Sequence, residues 1–425
     1  MPTPSLLIVP ARFKTGKLYS QIPTSGGDFT VTRATAATRV NASGYIDSVA
    51  SGIPRLDYFA SGGTVGCPAL LVEPSGSNGI LNSTDTTTSW ALGVNLTSGA
   101  IDVIGVSGNN LTVAVSGSLG SNNSVLRRTS NNVALASGST FTISFLMKQT
   151  SIHTVGGYYA VITGAASGDL AAGFNVSGSF SSGSIYNTAG TTNRIRRVEQ
   201  WGTDVFRCSE TFTMTASGTL TQFALAPVSS TTSANSPVVG SQIGFAAPQI
   251  ELGSVPTSFI PTLAAAVTRN AEVITVSGAV SGSIGQTEGT IYAEAVYSSI
   301  ASTKTFVAIN DGTVDNRIAL RIISTTSISA TVVVAGVSHT ISATIPAIPS
   351  SGVVKIALGY KANDYALAIN GTIYPFTTTR PVPPTTAAFL GNNGFNSDYL
   401  NDRIRAVALY TTRLSNAQLA ALTSP

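Results

Sequence analysis

Charged side chains are scarce in this sequence. Asp, Glu, Lys and Arg together account for 10% of the 425 residues, compared with about 25% in ordinary globular proteins. Hydrophobic residues still make up 43%, which excludes a charge-rich disordered chain. The other positions are rich in Ser, Thr and Gly. Small polar residues with many glycines favour short strands and tight turns over helices.

Cysteines and long hydrophobic runs are also nearly missing. The two cysteines, Cys67 and Cys208, allow at most one disulfide, so the chain is not a disulfide scaffold. We expect both thiols to be free and mostly buried, in a chain that folds in a reducing, intracellular environment. The hydrophobic run near the N-terminus, "LLIV", is too short for a secretory signal or a membrane span. We therefore expect no membrane insertion.

A strong net charge is absent as well. The formal charge is +4, and the densest basic cluster is "NRIRRVE" at residues 193–199. Nucleic-acid binding usually requires an extended basic stripe, often with interleaved aromatic residues. The sequence contains no such stripe, so we expect no nucleic-acid partner.

Residues suited to catalysis or metal binding are few. The two histidines, His153 and His339, lie far apart, which argues against a Ser–His–Asp triad, and no Cys/His cluster has zinc spacing. Residues 311–316 and 398–402 carry oxygen ligands suited to Ca²⁺, but turn formation explains them without a metal. We expect no catalytic residue, metal or cofactor. A polysaccharide depolymerase built from distant carboxylates stays an alternative.

Apolar residues alternate with polar ones over many short segments. In "TFTISFLMK", Phe141, Ile143 and Phe145 alternate with hydroxyl residues, the period of a half-buried strand. Other apolar runs, such as "IDVIGV" and "DRIRAVALY", predict further strands. Short strands with polar turns favour an all-β fold of two antiparallel β-sandwich domains, of jelly-roll and concanavalin-like type.

The composition along the chain suggests four regions. The first is rich in prolines and poorly periodic, which favours an extended segment that attaches to a neighbour. The seam "PQIELGSVPTSFIPT" (Pro248–Thr262) would close the first sandwich, with Phe259 and Ile260 packed against it. The expected regions are an N-terminal attachment segment (1–75), a jelly-roll sandwich (76–262), a connector (263–284) and a concanavalin-like sandwich (285–425).

Two local signals are sharp. Asn370 and Gly371 lie between two apolar runs in "ALAINGTIYPF", and both residues tolerate positive φ, so a type I′ hairpin is expected. In "RLSNAQLAALTSP", Ser415 and Gln418 have the spacing of a capping box, which predicts a helix at the end of the chain.

Three groups of passages resemble known virus proteins. The first contains "LLIVPARFKTGKLYSQIP", "FTVTRATAATRVNASGYIDSVASGIPRLDY" and "CPALLVEP", and the second contains the seam followed by "AVTRNAE". Both resemble segments of bacteriophage virion surface proteins of the tail-fibre or head-fibre type, which carry a jelly roll similar to carbohydrate-binding modules. The third, "IRAVALYTTRLSNAQLAAL", resembles the end of a laminin-G/concanavalin-like domain.

This resemblance implies a non-enzymatic structural protein on the virion surface, assembled in the host cytoplasm. It would form a fibre or surface decoration and dock to other virion proteins through its N-terminal segment. It would also be a homo-oligomer, a trimer by analogy. A purely structural capsid or tail component without a ligand stays an alternative.

The loop "GNNGFNSDYLND" (Gly391–Asp402) is the predicted contact with host-surface polysaccharide. Two aromatic rings offer faces to sugar C–H groups, while amides and carboxylates bind hydroxyls. An ordinary polar loop is the alternative interpretation. The predicted glycan-binding residues are Asn392, Asn393, Phe395, Asn396, Asp398 and Tyr399.

Overall fold

The computed structural model describes most of the chain. The described residues are 2–22, 27–59, 65–86, 89–115, 125–150, 155–175, 182–186, 190–227, 239–277, 282–297, 303–324, 326–344, 352–376, 379–395 and 397–425.

The strands of the N-terminal region are mostly short. They are β1 (Leu6–Ile8), β2 (Phe13–Lys14), β3 (Lys17–Leu18), β4 (Phe29–Thr32), β5 (Ala37–Val40), β6 (Ile46–Val49), β7 (Leu56–Phe59), β8 (Val65–Val72) and β9 (Gly76–Asn78).

The strands of the middle region are longer. They are β10 (Ala91–Leu92), β11 (Leu96–Val103), β12 (Val106–Val113), β13 (Leu126–Leu135), β14 (Thr140–Lys148), β15 (Val155–Gly164), β16 (Gly168–Asn175), β17 (Ser182–Tyr186), β18 (Thr191–Gln200), β19 (Val205–Met214), β20 (Gly218–Pro227) and β21 (Gln242–Leu252).

The last region also contains a helix. Its elements are β22 (Val267–Arg269), β23 (Val273–Ser277), β24 (Glu288–Tyr297), β25 (Lys304–Asn310), β26 (Arg317–Ser324), β27 (Ser327–Val334), β28 (Val337–Ser338), β29 (Ile341–Thr344), β30 (Gly352–Lys361), β31 (Asp364–Ile369), β32 (Thr372–Phe376), β33 (Ala387–Leu390), β34 (Asp402–Tyr410) and α1 (Asn416–Thr423).

These strands form two antiparallel β-sandwiches, which confirms the predicted all-β fold class. The composite sandwich joins strands from both ends of the chain. One of its sheets has the order β32-β31-β30-β24-β34-β8-β7, with β1 also paired to β34. The other has the order β2-β3-β4-β23-β33-β25-β26-β27-β28, with β29 also paired to β27.

Six of the strands within the first 75 residues, β1 to β4, β7 and β8, belong to the composite sandwich. Leu6 pairs with Leu409, Val31 pairs with Ile274, and Leu70 pairs with Ile404. These pairings place Leu6, Ile8, Leu70 and Val72 in the composite core. The expected extended attachment segment is therefore corrected, because these residues complete both sheets of the sandwich.

The inserted sandwich interrupts the composite sandwich. Its two sheets have the orders β10-β13-β20-β15-β16-β17 and β11-β12-β21-β14-β19-β18. The chain enters it through β9 and leaves through β22, and these two strands pair, with Asn78 opposite Val267. The expected connector at 263–284 is corrected in the same way, since β22 and β23 within it are sheet strands.

Several local predictions can be compared directly with the structure. Asn370 and Gly371 have φ of 46° and 84° at the β31–β32 turn, and Ser415 and Gln418 form the capping box of α1, which confirms both signals. Strand β14 has the predicted bounds but is buried on both faces, because the seam covers its hydroxyl side. The run "IDVIGV" is a hairpin, with Ile104 in the turn between β11 and β12.

Candidate functional site

A buried ion cluster fixes the seam between the two sandwiches. Arg55 lies 2.7 Å from Glu272 and 2.8 Å from Glu73. Arg33 lies 3.1 Å from Glu272, and Arg269 lies 3.4 Å from each glutamate. All five side chains are buried, so each charge depends on its partners.

The seam contributes directly to this cluster. Ser258 donates its backbone N–H and its hydroxyl to Glu73, each at 2.7 Å, and accepts from Arg55 at 2.7 Å. Burial opposes ionisation of Glu73, but Arg269 and Arg55 outweigh it and hold the pKa of this carboxyl well below its ordinary value. The passages that resemble virion proteins thus meet in space, because "VTRATA", "IPRLDY", "LLVEP", the seam and "VTRNAE" each supply a member.

The seam is bound equally closely to the inserted sandwich. Phe259 packs among buried residues of β11, β12, β14, β19 and β21, as the sequence predicted. Gln249 accepts a hydrogen bond from the Ile260 N–H at 2.7 Å, and Glu251 accepts two from Thr257, at 2.9 Å and 2.5 Å. The two sandwiches therefore meet at a joint with buried polar pairs on both sides.

A cleft opens beside this joint, between the β5–β6 hairpin, the edge of the composite sandwich and the inserted sandwich. We call it the junction cleft. It contains adjoining cavities of about 200 Å³ and about 50 Å³, which share Val40, Phe59 and Trp201 in their walls.

The hairpin β5–β6 forms one wall and docks on the inserted sandwich. The N–H of Ile46 donates to the carbonyl of Ile104 at 2.7 Å. Ile104 has φ of 47°, a left-handed conformation that is rare for a β-branched residue. Gly105 follows it, and a Cβ there would approach the Ile46 carbonyl to 2.9 Å. The docked hairpin thus sets the width of the cleft.

Aromatic rings line the mouth of the junction cleft. Phe59 and Trp201 lie 5.1 Å apart between ring centroids, tilted by 52°. The guanidinium of Arg207 lies 5.1 Å from the Trp201 ring, and that of Arg403 lies 4.5 Å from the Phe59 ring. Tyr45 also lines the larger cavity and is 48% exposed. These rings present apolar faces next to charged groups.

The alternation of β18 divides the basic run "NRIRRVE" between two environments. Arg194 and Arg196 point into the inserted sandwich, where both pair with the buried carboxylate of Glu210. Arg197 and Glu199 point the other way and line the junction cleft with Trp201. The indole N–H of Trp201 donates to Glu199 at 3.4 Å.

The opposite wall of the cleft carries a second set of charged groups. Arg403 donates to Asp57 at 2.7 Å, and Asp57 also accepts from the N–H groups of Val40 at 3.0 Å and Phe59 at 2.9 Å. Arg39 lies 3.1 Å from Asp47. This wall is therefore held in place by its own ion pairs.

The side-chain amides of Asn392 and Asn393, in the predicted glycan loop, form hydrogen bonds within the loop. Asn392 and Asn393 are buried. Asn392 accepts from the Gly394 N–H at 2.8 Å, and Asn393 accepts from Phe395 at 2.9 Å and donates to Ser397 at 2.6 Å. Asn396 lies outside the described residues.

The other members of this loop are half-buried on the composite sandwich. Asp398 lies 3.4 Å from Arg321, and the Arg317 guanidinium lies 6.0 Å from the Phe395 ring centroid. Tyr399 packs against the composite core, and burial raises the pKa of its hydroxyl. None of these predicted residues lines the junction cleft within the described chain, but Asn401 and Asp402, at the end of the same loop, do. The predicted glycan-binding residues therefore lie outside the cleft, which the loop meets at its C-terminal end.

Other candidate centres can be located in the described parts of the chain. Within these parts, no group of three or more His, Cys, Asp or Glu residues has a metal-binding arrangement. Cys208 is buried as expected, but Cys67 is exposed, and both thiols are free. His339 is half-buried after β28, and His153 lies outside the described residues. Among the described residues, no helix is long and apolar enough to cross a membrane.

Sequence comparisons give no relative. No protein-family model and no curated protein match the chain. Among solved structures, the chain is similar to the CBM40 of the Ruminococcus gnavus IT-sialidase, with 16% identity, a TM-score of 0.29, and coverage of 33% of this chain and 84% of that chain.

Two further similarities are of the same order. NanB sialidase from Streptococcus pneumoniae has 12% identity and a TM-score of 0.28, over 36% of this chain and 27% of that chain. The heptameric SAP-like pentraxin from Limulus polyphemus has 12% identity and a TM-score of 0.24, over 33% of this chain and 70% of that chain. TM-scores this low carry no argument about function.

Proposed function

We propose that this chain is a non-enzymatic structural protein that binds carbohydrate in the junction cleft. The observation that carries the proposal is the combination of aromatic faces and hydrogen-bonding groups in one concave site. Tyr45, Phe59 and Trp201 offer ring faces, while Glu199 and Arg197 offer an acceptor and donors beside them. A concave site with a few convergent polar groups is the default ligand site of a protein.

The walls of the junction cleft are held in place, which favours binding of a small ligand such as a sugar. Its walls are fixed by the docked β5–β6 hairpin, the Arg403–Asp57 pair and the buried ion cluster behind the seam. A preformed site reduces the entropy that is lost on binding. The larger cavity, about 200 Å³, has room for a sugar ring.

The location that we propose is the surface of a bacteriophage particle, as a fibre or decoration that contacts host glycans. Its support is the resemblance of the N-terminal and seam passages to virion surface proteins. Docking to other virion proteins would use the exposed part of the N-terminal region, where Val9 and Phe13 are exposed apolar side chains. Assembly as a homotrimer belongs to the same proposal.

A glycan array followed by calorimetry tests carbohydrate binding and its site. The best-bound oligosaccharide would be titrated into the parent protein, Tyr45→Ala and Phe395→Ala. Tyr45 is well exposed, so its removal should leave the core intact, and we expect about tenfold weaker binding, since aromatic contacts contribute about 1 kcal/mol or more. Phe395→Ala is the matched control from the loop and should bind like the parent.

Three results would contradict the proposal in different ways. Loss of binding in Phe395→Ala alone would show that the glycan binds at the predicted loop residues around Phe395. Silence across the whole array would favour a structural component without a ligand. Release of reducing ends from a bound polysaccharide would show a depolymerase.

A further inference from the structure

One cation in the junction cleft differs from the others. Four guanidinium groups line its smaller cavity. Arg403 pairs with Asp57 and Asp402, Arg39 pairs with Asp47, and Arg207 donates to Ser144 and Thr257. Arg197, in contrast, has no hydrogen bond or ion pair within the described residues.

The position of Arg197 makes its lack of a described partner unusual. Its side chain is half-buried, and burial lowers the pKa of its guanidinium while Glu199 partly offsets the effect. Partial removal from water is costly for a charge that has no partner. A planar guanidinium with five donors is suited to bidentate contact with an oxyanion, and Arg197 lines the smaller cavity.

The surroundings of Arg197 add positive charge. Lys304 is buried nearby on β25 and donates to the carbonyl of Leu400 at 2.5 Å. Burial lowers the pKa of its ammonium group; Asp402 counteracts this, and Arg197 lowers it further. Lys304 lines neither cavity, but its charge adds to that of Arg197 and so favours a negatively charged group on a ligand that contacts Arg197.

We propose that the junction cleft takes an acidic sugar, with the ligand's anionic group on Arg197 and its ring near Trp201. This inference rests on the proposed carbohydrate function and names the ligand class. The alternation of β18 and of the residue that follows it places Arg197, Glu199 and Trp201 on the cleft side, two residues apart. Each of these side chains can contact a different part of one ligand. The oxyanion takes the guanidinium, a hydroxyl donates to the Glu199 carboxylate, and the apolar ring face lies against the indole.

Matched glycans test this proposal. The array would contain sets of oligosaccharides that differ only in one substituent: neutral hexose, uronate, or sulfated hexose. We expect the uronate or sulfated member to bind at least tenfold more tightly than the neutral one, and the comparison between those two identifies the oxyanion. Binding of the preferred member should weaken as salt increases from 50 to 300 mM.

Two arginine variants locate the effect. Arg197→Gln removes the charge but retains most of the length, and it breaks no ion pair among the residues that the structure describes, so the fold should be kept. We expect it to weaken binding of the acidic glycan about 10- to 100-fold, the range of one charge-assisted contact, and to weaken binding of its neutral counterpart clearly less, since a neutral ligand group gains only an ordinary hydrogen bond from this side chain. Arg317→Gln, beside Phe395 on the composite sandwich, is the matched control and should bind like the parent.

The outcomes separate this inference from the proposed function. Equal binding of neutral and acidic glycans, with no effect of Arg197→Gln, would overturn the acidic ligand and keep the carbohydrate site. Acidic preference that is lost in Arg317→Gln and kept in Arg197→Gln would overturn the position in the cleft. No binding of any glycan would overturn the proposed function, and this inference with it.

Discussion

The substitution Glu272→Gln tests whether the buried ion cluster holds the two ends of the chain together. Glu272 is 1% exposed and lies within 3.4 Å of three arginines, Arg33, Arg55 and Arg269. It also accepts the backbone N–H of Glu73 at 3.0 Å. Glutamine has nearly the same shape, so the variant removes one charge without opening a cavity. Arg55 and Arg269 would then share the carboxylate of Glu73, and Arg33 would lose its ion pair.

The expected cost is large. Removing one partner from a buried ionic group costs about 3–5 kcal/mol, and we expect the free energy of unfolding to fall by that amount in equilibrium urea denaturation. Glu288→Gln is the matched control, because Glu288 lies 3.1 Å from Lys361 but is 32% exposed. An exposed pair contributes about 0–1 kcal/mol. If Glu272→Gln lost no more stability than Glu288→Gln, the structural role of the cluster would be refuted.

Three further predictions concern acid, thiols and the helix. The folded pKa of Glu73 lies below its ordinary value of 4.5, so its stabilising effect is present above pH 4.5 and is lost as the pH falls further; a urea midpoint that stays level from pH 6 to pH 3 would contradict this. A thiol reagent should label Cys67 in the native protein and Cys208 only after unfolding, because burial raises the pKa of the Cys208 thiol; two rapidly labelled thiols, or none, would be inconsistent with the fold. Ser415→Ala removes the capping hydroxyl of α1 and should lower stability by about 1 kcal/mol, whereas Ser424→Ala, at the other end of the helix, should serve as its comparison in thermal unfolding.

Local structure could be predicted from the sequence because its causes are local. The alternation in "TFTISFLMK" gives β14 its bounds, and the Asn370–Gly371 turn needs only two residues that tolerate positive φ. The capping box of α1 likewise depends on residues three apart. In each case the interacting groups are neighbours in the chain, so the pattern itself contains the signal.

Pairing between strands that are distant in the chain leaves no comparable pattern in the sequence. Strand β1 is buried through its pairing with β34, which begins almost 400 residues later, and nothing near "LLIV" identifies that partner. The same limit explains why Thr142 and Ser144, which alternate with apolar residues, are buried. Thr142 donates to the seam carbonyl of Gly253 at 2.8 Å, a contact that strand periodicity cannot reveal.

The candidate site was missed for a related reason. The basic run at residues 193–199 is visible in the sequence, but a count of its charges does not show that strand alternation divides them between two faces. Arg194 and Arg196 face Glu210 within the sandwich, while Arg197 faces the cleft. A cleft formed by the N-terminal hairpin and the inserted sandwich requires knowledge of the insertion, which composition alone did not show.

The fluorescence of Trp201 tests the central claim of carbohydrate binding in the junction cleft most directly. The chain has two tryptophans; Trp90 is buried in the inserted sandwich, so Trp90→Phe leaves Trp201 as the single reporter. Titration of this variant with a glycan that binds by calorimetry should change the Trp201 emission, with the same affinity in both measurements. Calorimetric binding with no change in the emission of Trp201 would place the ligand elsewhere and contradict the account.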